Sequence, residues 1–192
     1  KDRVIFGNAV TAIADIAILA AIGPRHAAIV RSTSFHGGVA YDVEALDGRP
    51  VAIRGKVIDR QRLVDGDVVS LGRDFEFTFR LPSERSRAAL LQLPSAHGVD
   101  GVHRIVLLPP TGRAGALLIG PSETCHVSTP GTQGECEIAR EPESAGGDLI
   151  AQGPGGVAVD GDAARGKAPC LDGSVLAADD LRAAIRNAAP RG

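Results

Sequence analysis

The 192-residue chain has no Met and no Trp, one Tyr and five Phe, so aromatic residues make up only 3% of it. So few rings leave little for base stacking, on which single-stranded nucleic-acid recognition leans. An excess of one charge sign is lacking too. The formal net charge is −2, which provides no electrostatic footprint for nucleic acid or an anionic membrane surface. The first half is slightly basic and the second slightly acidic, a difference that solvated faces explain. Cysteine is scarce: Cys125, Cys136 and Cys170 are the only three. An odd, small number does not make a disulfide framework, and a reducing, cytoplasmic setting is expected. Long hydrophobic runs are missing as well. The most apolar stretch, Val10 to Ile22, contains Asp15 and is too short to span a bilayer. The chain opens at Lys1 rather than Met, so it is expected to be a piece of a longer protein whose targeting signals cannot be read here.

What is present is a rhythm of short strands and turns. Gly (24) and Pro (12) punctuate the chain, as turn-rich β structure requires. Val39–Val43 alternates around Tyr41, and Val51–Ile53 runs into a turn at Arg54-Gly55. Asp65-Gly66-Asp67 is a turn signal before Val68–Leu71. Phe75, Phe77 and Phe79 then alternate with Glu76 and Thr78, a period of two that puts three rings on one sheet face. Ser83 to Leu93 reads differently. Ser83 can cap a helix that Ala88, Leu90 and Leu91 favour, and a linker helix is expected there.

The second half repeats the first. Val157-Ala158-Val159-Asp160-Gly161 answers Val51-Ala52-Ile53-Arg54-Gly55, and Leu171-Asp172-Gly173 answers Val64-Asp65-Gly66. Asp180–Arg186 answers Asp74–Arg80. A near-constant spacing of about 106 residues indicates a duplicated unit. The repeat therefore predicts a strand at 180–186, although Ala178–Ala189 has helix propensity.

The first half resembles a forkhead-associated (FHA) domain. The matching features are Gly7, Ala14–Ile18, Arg25-His26-Ala27-Ala28-Ile29, Arg54-Gly55-Lys56, Leu63–Asp67, Leu71-Gly72 and Phe75-Glu76-Phe77. The resemblance implies an all-β fold, a sandwich of two antiparallel sheets, that binds phosphothreonine peptides on loops at one end. Residues 104–186 resemble a second, degenerate copy. The expected organisation is an FHA-like domain over 1–82, a partly helical linker over 83–98 and a degenerate FHA-like domain over 99–192. The family's Gly-Arg reads Gly7-Asn8 here, its phosphate-gripping Ser is Gly23, and its Asn before the Gly is Arg54. The candidate phosphopeptide-binding residues carried over are Asn8, Gly23, Arg25, Arg54 and Lys56, with His26 bracing the loop. The corresponding places in the second copy read Pro121, Thr132, Asp160 and Glu135. An acidic residue beside a phosphate repels it, so the second copy is not expected to bind one.

Other constellations are weaker. Gly161 to Lys167 approaches a P-loop, but Ala168 and Pro169 stand where Ser or Thr and a helix are required. A hairpin loop is the simpler expectation. His97, Asp100, His103, Cys125, His126 and Cys136 have no zinc spacing. Thr124-Cys125-His126 puts a thiol beside an imidazole in sequence only, and catalysis needs spatial approach and an orienting partner. No metal, no cofactor and no catalysis are expected. The leading expectation is a protein-interaction module for phosphorylated or acidic peptides in signalling. The alternative is a structural scaffold or homodimerisation unit.

Overall fold

The computed structural model describes residues 2–11, 13–33, 39–83, 86–94, 102–108, 115–141, 149–171 and 173–185. His97, Asp100, Asp172 and Arg186 lie outside the described residues. The fold is nearly all β, with four sheets. No helix of the described residues is long and apolar enough to cross a membrane. The chain divides into two compact units, one of Lys1–Leu81 with Ala89–Leu107, the other of Pro82–Ala88 with Leu108–Gly192.

The first unit opens with β1 (Arg3–Asn8), β2 (Ile16–Ile18), β3 (Ala27–Thr33) and β4 (Val39–Ala45). It continues with β5 (Val51–Ile53), β6 (Lys56–Ile58), β7 (Arg60–Arg62), β8 (Asp67–Leu71) and β9 (Phe75–Arg80). Two further strands, β10 (Ala89–Gln92) and β11 (Arg104–Leu107), complete it. One sheet has the order β2-β1-β3-β4-β7 and the other β11-β10-β9-β8-β5-β6. All pairings are antiparallel except β1 with β2.

The core follows from the period of two. In β9, Phe75, Phe77 and Phe79 are buried while Glu76 faces solvent. Phe77 stacks on Phe6 with ring centroids 5.0 Å apart and planes 2° from parallel, and Phe79 meets Tyr41 at 5.5 Å. With so few rings in the sequence, concentrating them in one core is how this unit reaches adequate packed volume. Burial pushes the Tyr41 phenol up to about 12. On the other face of β4, Asp42 is covered by Arg60 and Arg62 of β7, at 2.8 and 2.6 Å. Burial works against its ionised form, but the two guanidiniums outweigh it and hold the carboxyl below its usual range.

The expected linker helix over 83–93 does not form where the chain is described. Ala89–Gln92 is strand β10, paired with β9 on one side and β11 on the other. Ala and Leu rank high in helix propensity, but propensity is worth less than about 1 kcal/mol per residue and pairing on both sides overrides it. The domain boundary moves with it. Arg104–Leu107, assigned from sequence to the second domain, belongs to the first unit as β11.

The second unit contains β12 (Leu117–Gly120), β13 (Val127–Ser128), β14 (Cys136–Arg140), β15 (Leu149–Gln152) and β18 (Ala168–Cys170) in one sheet, ordered β13-β12-β14-β15-β18. The other sheet holds β16 (Val157–Val159), β17 (Asp162–Ala164), β19 (Val175–Ala178) and β20 (Leu181–Ala184), ordered β17-β16-β19-β20. Strand for strand this repeats β1 to β9 of the first unit, including the parallel pair of β12 with β13. The repeat prediction of a strand near 180–186 therefore holds against local helix propensity. The core of Ile119, Cys136, Ile138, Val157, Leu176 and Leu181 contains no ring.

Candidate functional site

The candidate site lies where β1 and β2 end together and β3 begins. Gly7 is required there: a Cβ on it would stand 1.8 Å from the Pro24 carbonyl oxygen. That close approach lets the Asn8 N–H donate to the Gly23 carbonyl at 3.0 Å. The Asn8 side-chain amide donates to the Ile22 carbonyl at 3.0 Å, and its oxygen accepts from the Thr11 hydroxyl at 3.1 Å. Much of the Asn8 side chain's bonding capacity is thus spent on shaping the loop.

His26 is buried and ties this loop to the next. The Gly23 N–H donates to Nδ1 at 3.1 Å, so that nitrogen is unprotonated and Nε2–H donates to the Pro50 carbonyl at 2.9 Å. The two bonds fix the ring's orientation between the two loops. Pro50 ends the turn between β4 and β5. Asp47 and Gly48 both have positive φ, 50° and 66°, and the Arg49 N–H donates to the Leu46 carbonyl at 2.9 Å. This is the backbone that Asp-Gly favours in a tight turn. Arg49 follows it, and its side chain lies over Gly23, with Nε 3.0 Å from where a Cβ on residue 23 would be. A side chain at position 23 and this placement of Arg49 compete for the same space. Arg25 and Arg49 are exposed, and neither has an ion-pair partner among the described residues. Two apolar side chains at the same end, Val10 and Leu19, are 89% and 65% exposed.

The structure divides the residues carried over from the resemblance. Asn8, Gly23, Arg25 and His26 share one loop cluster. Arg54 and Lys56 do not join it. Pro50 and Arg54 stand at opposite ends of β5, roughly 13 Å apart for four extended residues. Arg54-Gly55 is the two-residue turn joining β5 to β6, with φ of 50° and 80°. The Arg54 guanidinium pairs with the buried Asp67 at 3.1 Å. Arg49 carries no motif of its own in the sequence, and its place beside Gly23 follows from the turn that precedes it. The Asp47-Gly48 dipeptide is the local signal that marks that turn.

Among the described residues the second unit has no equivalent cluster. Asp160 and Gly161 repeat the positive-φ turn, at 54° and 95°. There the Asp160 carboxylate accepts from Ser174 Oγ at 3.0 Å and the Val175 N–H at 2.8 Å. The Gly161–Ala168 stretch that approaches a P-loop forms this turn, β17 and the start of β18. Its Arg165 and Gly166 line a cleft of about 330 Å³ with Glu137, Gln152, Gly153 and Pro154. The Cys125-His126 pair has no free imidazole nitrogen. Nδ1 accepts from the Leu118 N–H at 3.0 Å and Nε2 donates to the Ala88 carbonyl at 3.0 Å. Burial, above all, pushes the Cys136 thiol up to about 11, so it stays protonated near neutrality.

His126 carries a pH prediction. Burial lowers its pKa below the ordinary 6.5, against the smaller opposing effect of its bond to Ala88. The unfolded chain then takes up a proton that the folded one resists. Stability is expected to fall as pH drops below 6.5, before Asp42 begins to lose its contribution below the ordinary Asp value of 3.8. Urea midpoints across that window check this, and His126→Gln should flatten the slope. An unchanged slope in the variant would remove His126 as the cause.

The sequence matches no protein-family model and no curated protein sequence.

Proposed function

We propose that the chain is a non-catalytic protein-interaction module whose first unit binds phosphorylated or acidic peptides at the β2–β3 and β4–β5 turns. The observation that carries this is a pair of exposed guanidiniums, Arg25 and Arg49, without carboxylate partners among the described residues, beside a loop locked by His26. A planar guanidinium grips phosphate through two parallel bonds. Arg49 over Gly23 supplies in charge what the FHA pattern supplies through a hydroxyl. Exposed Val10 and Leu19 add apolar surface for a neighbouring peptide side chain. The setting that suits such an adaptor is signalling in a reducing cytoplasm, where the three buried thiols stay free.

Titration of a phosphothreonine peptide library against the wild type, Arg49→Ala and Arg54→Ala tests the site. Loss of one charge-assisted contact, worth about 1.5–3 kcal/mol, should weaken the best phosphopeptide by roughly tenfold to a hundredfold in Arg49→Ala. Arg54→Ala should leave it unchanged. A loss at Arg54 alone would return the site to the β5–β6 turn. Equal affinity for phosphorylated and unphosphorylated peptides would sink the phosphate version. Dimerisation in light scattering without any peptide affinity would favour a scaffold.

A further inference from the structure

The cleft in the second unit holds two opposite charges that do not meet. Glu137 and Arg165 both line it, yet neither forms an ion pair with the other or with a further described residue. A guanidinium can take a carboxylate through two parallel bonds, but here the chain holds the two apart. Glu137 stands on β14 directly opposite Gln152 on β15, and the Gln152 amide donates to its Oε2 at 2.7 Å. Arg165 belongs to the connection between β17 and β18.

The first unit closes the same place with its own cations. The corresponding pair there is Ala28 on β3 opposite Glu44 on β4. Glu44 is bridged by Arg3 at 3.0 Å and by Arg60 at 2.9 Å. In the second unit Gln152 replaces Glu44, the carboxylate moves to the neighbouring strand, and no cation of the described residues reaches it. What remains is a cleft of about 330 Å³, at the small end of ligand sites. Two glycines set its walls. A Cβ on Gly153 would stand 2.8 Å from the Gly156 carbonyl oxygen and 2.9 Å from that of Glu135, so backbone packs on backbone there. A Cβ on Gly166 would meet nothing within 4 Å, so that side is unfilled.

We infer that this cleft binds a small zwitterion of the α-amino-acid class. The ligand's carboxylate takes the Arg165 guanidinium. Its ammonium takes Glu137, whose other carboxylate oxygen has no partner among the described residues. Neither contact suffices alone, because Arg165 is exposed and a single exposed ion pair is worth little. A ligand carrying both charges on one short frame engages both walls at once and replaces the water between them. No residue of the first unit takes part.

Titration of the full chain with L-alanine, followed by NMR shifts of backbone and side-chain amides, tests this. Acetate and methylammonium serve as the single-charge probes. L-Alanine at millimolar concentration is expected to move the Gln152 side-chain amide and the Gly153 and Gly166 backbone amides. Acetate and methylammonium should each bind at least about tenfold more weakly, as should L-alanine to Arg165→Gln or Glu137→Gln, each having lost one charge-assisted contact. Gly166→Leu adds bulk on the unfilled side without a backbone clash. It should abolish the shifts while the rest of the spectrum keeps its wild-type pattern. Acetate binding as well as L-alanine would reduce the site to an anion contact at Arg165 and overturn the zwitterion. No shift at Gln152, Gly153 or Gly166, or an L-alanine affinity unchanged in both charge variants, would overturn the site altogether.

Discussion

Phe77→Ala is expected to destabilise the first unit by roughly 3–5 kcal/mol, the usual cost of emptying a ring-sized core site. Phe77 is 1% exposed and lies flat on Phe6, with Phe75 6.3 Å away on the same strand face. Its removal leaves a void bounded by two sheets whose strands are fixed by their ladders, so collapse is limited. A chain with five Phe and no Trp has few other rings to refill the space. Urea unfolding reads the effect: with a slope of about 1–3 kcal/mol/M, the midpoint should fall by at least about 1 M. A shift of only a few tenths of a molar would mean that the ring stack is not central to the core.

Gly7→Ala is the second large effect, and it acts through the backbone. The added Cβ would lie 1.8 Å from the Pro24 oxygen and 2.6 Å from its carbonyl carbon. Neither atom belongs to a side chain that can turn aside. Strand β1 and the β2–β3 loop must separate, which strains the bonds from Asn8 to Gly23 and from His26 to Phe6. A cost of roughly 2–4 kcal/mol is expected, at the upper end for overpacking. The disturbance should centre on the loop. Amide chemical shifts of Asn8, Gly23 and His26 should move most, and any phosphopeptide affinity should be lost at temperatures where the fold survives. Wild-type shifts at those amides would show that the close approach of β1 and this loop is not retained in solution.

The contrast between these two sites shows what could be read locally. The Phe75–Phe79 alternation is a period-two signal contained in five residues, and the strand it predicts is present. Arg54-Gly55 and Asp160-Gly161 were legible as turns because they need positive φ, a property of the dipeptide itself. The placement of Arg54 in a peptide pocket was not legible. It depends on which end of β5 faces the His26 loop, and β5 is only three residues long. The structure puts Arg49 at that end and leaves Arg54 paired with Asp67.

The stretch from Ser83 to Leu107 makes the same point for the fold. By itself the sequence determined the strand rhythm, the duplication, the turn positions and the all-β class. Each of these is written in periodicities and dipeptides that act over a few residues. Only the tertiary structure decided that Ala89–Gln92 is a strand, that Arg104–Leu107 joins the first unit, and which arginines stand beside Gly23. Those outcomes turn on an unpaired edge and on side chains brought together from distant positions. A weak local preference for helix yields when a whole ladder of backbone hydrogen bonds is on offer.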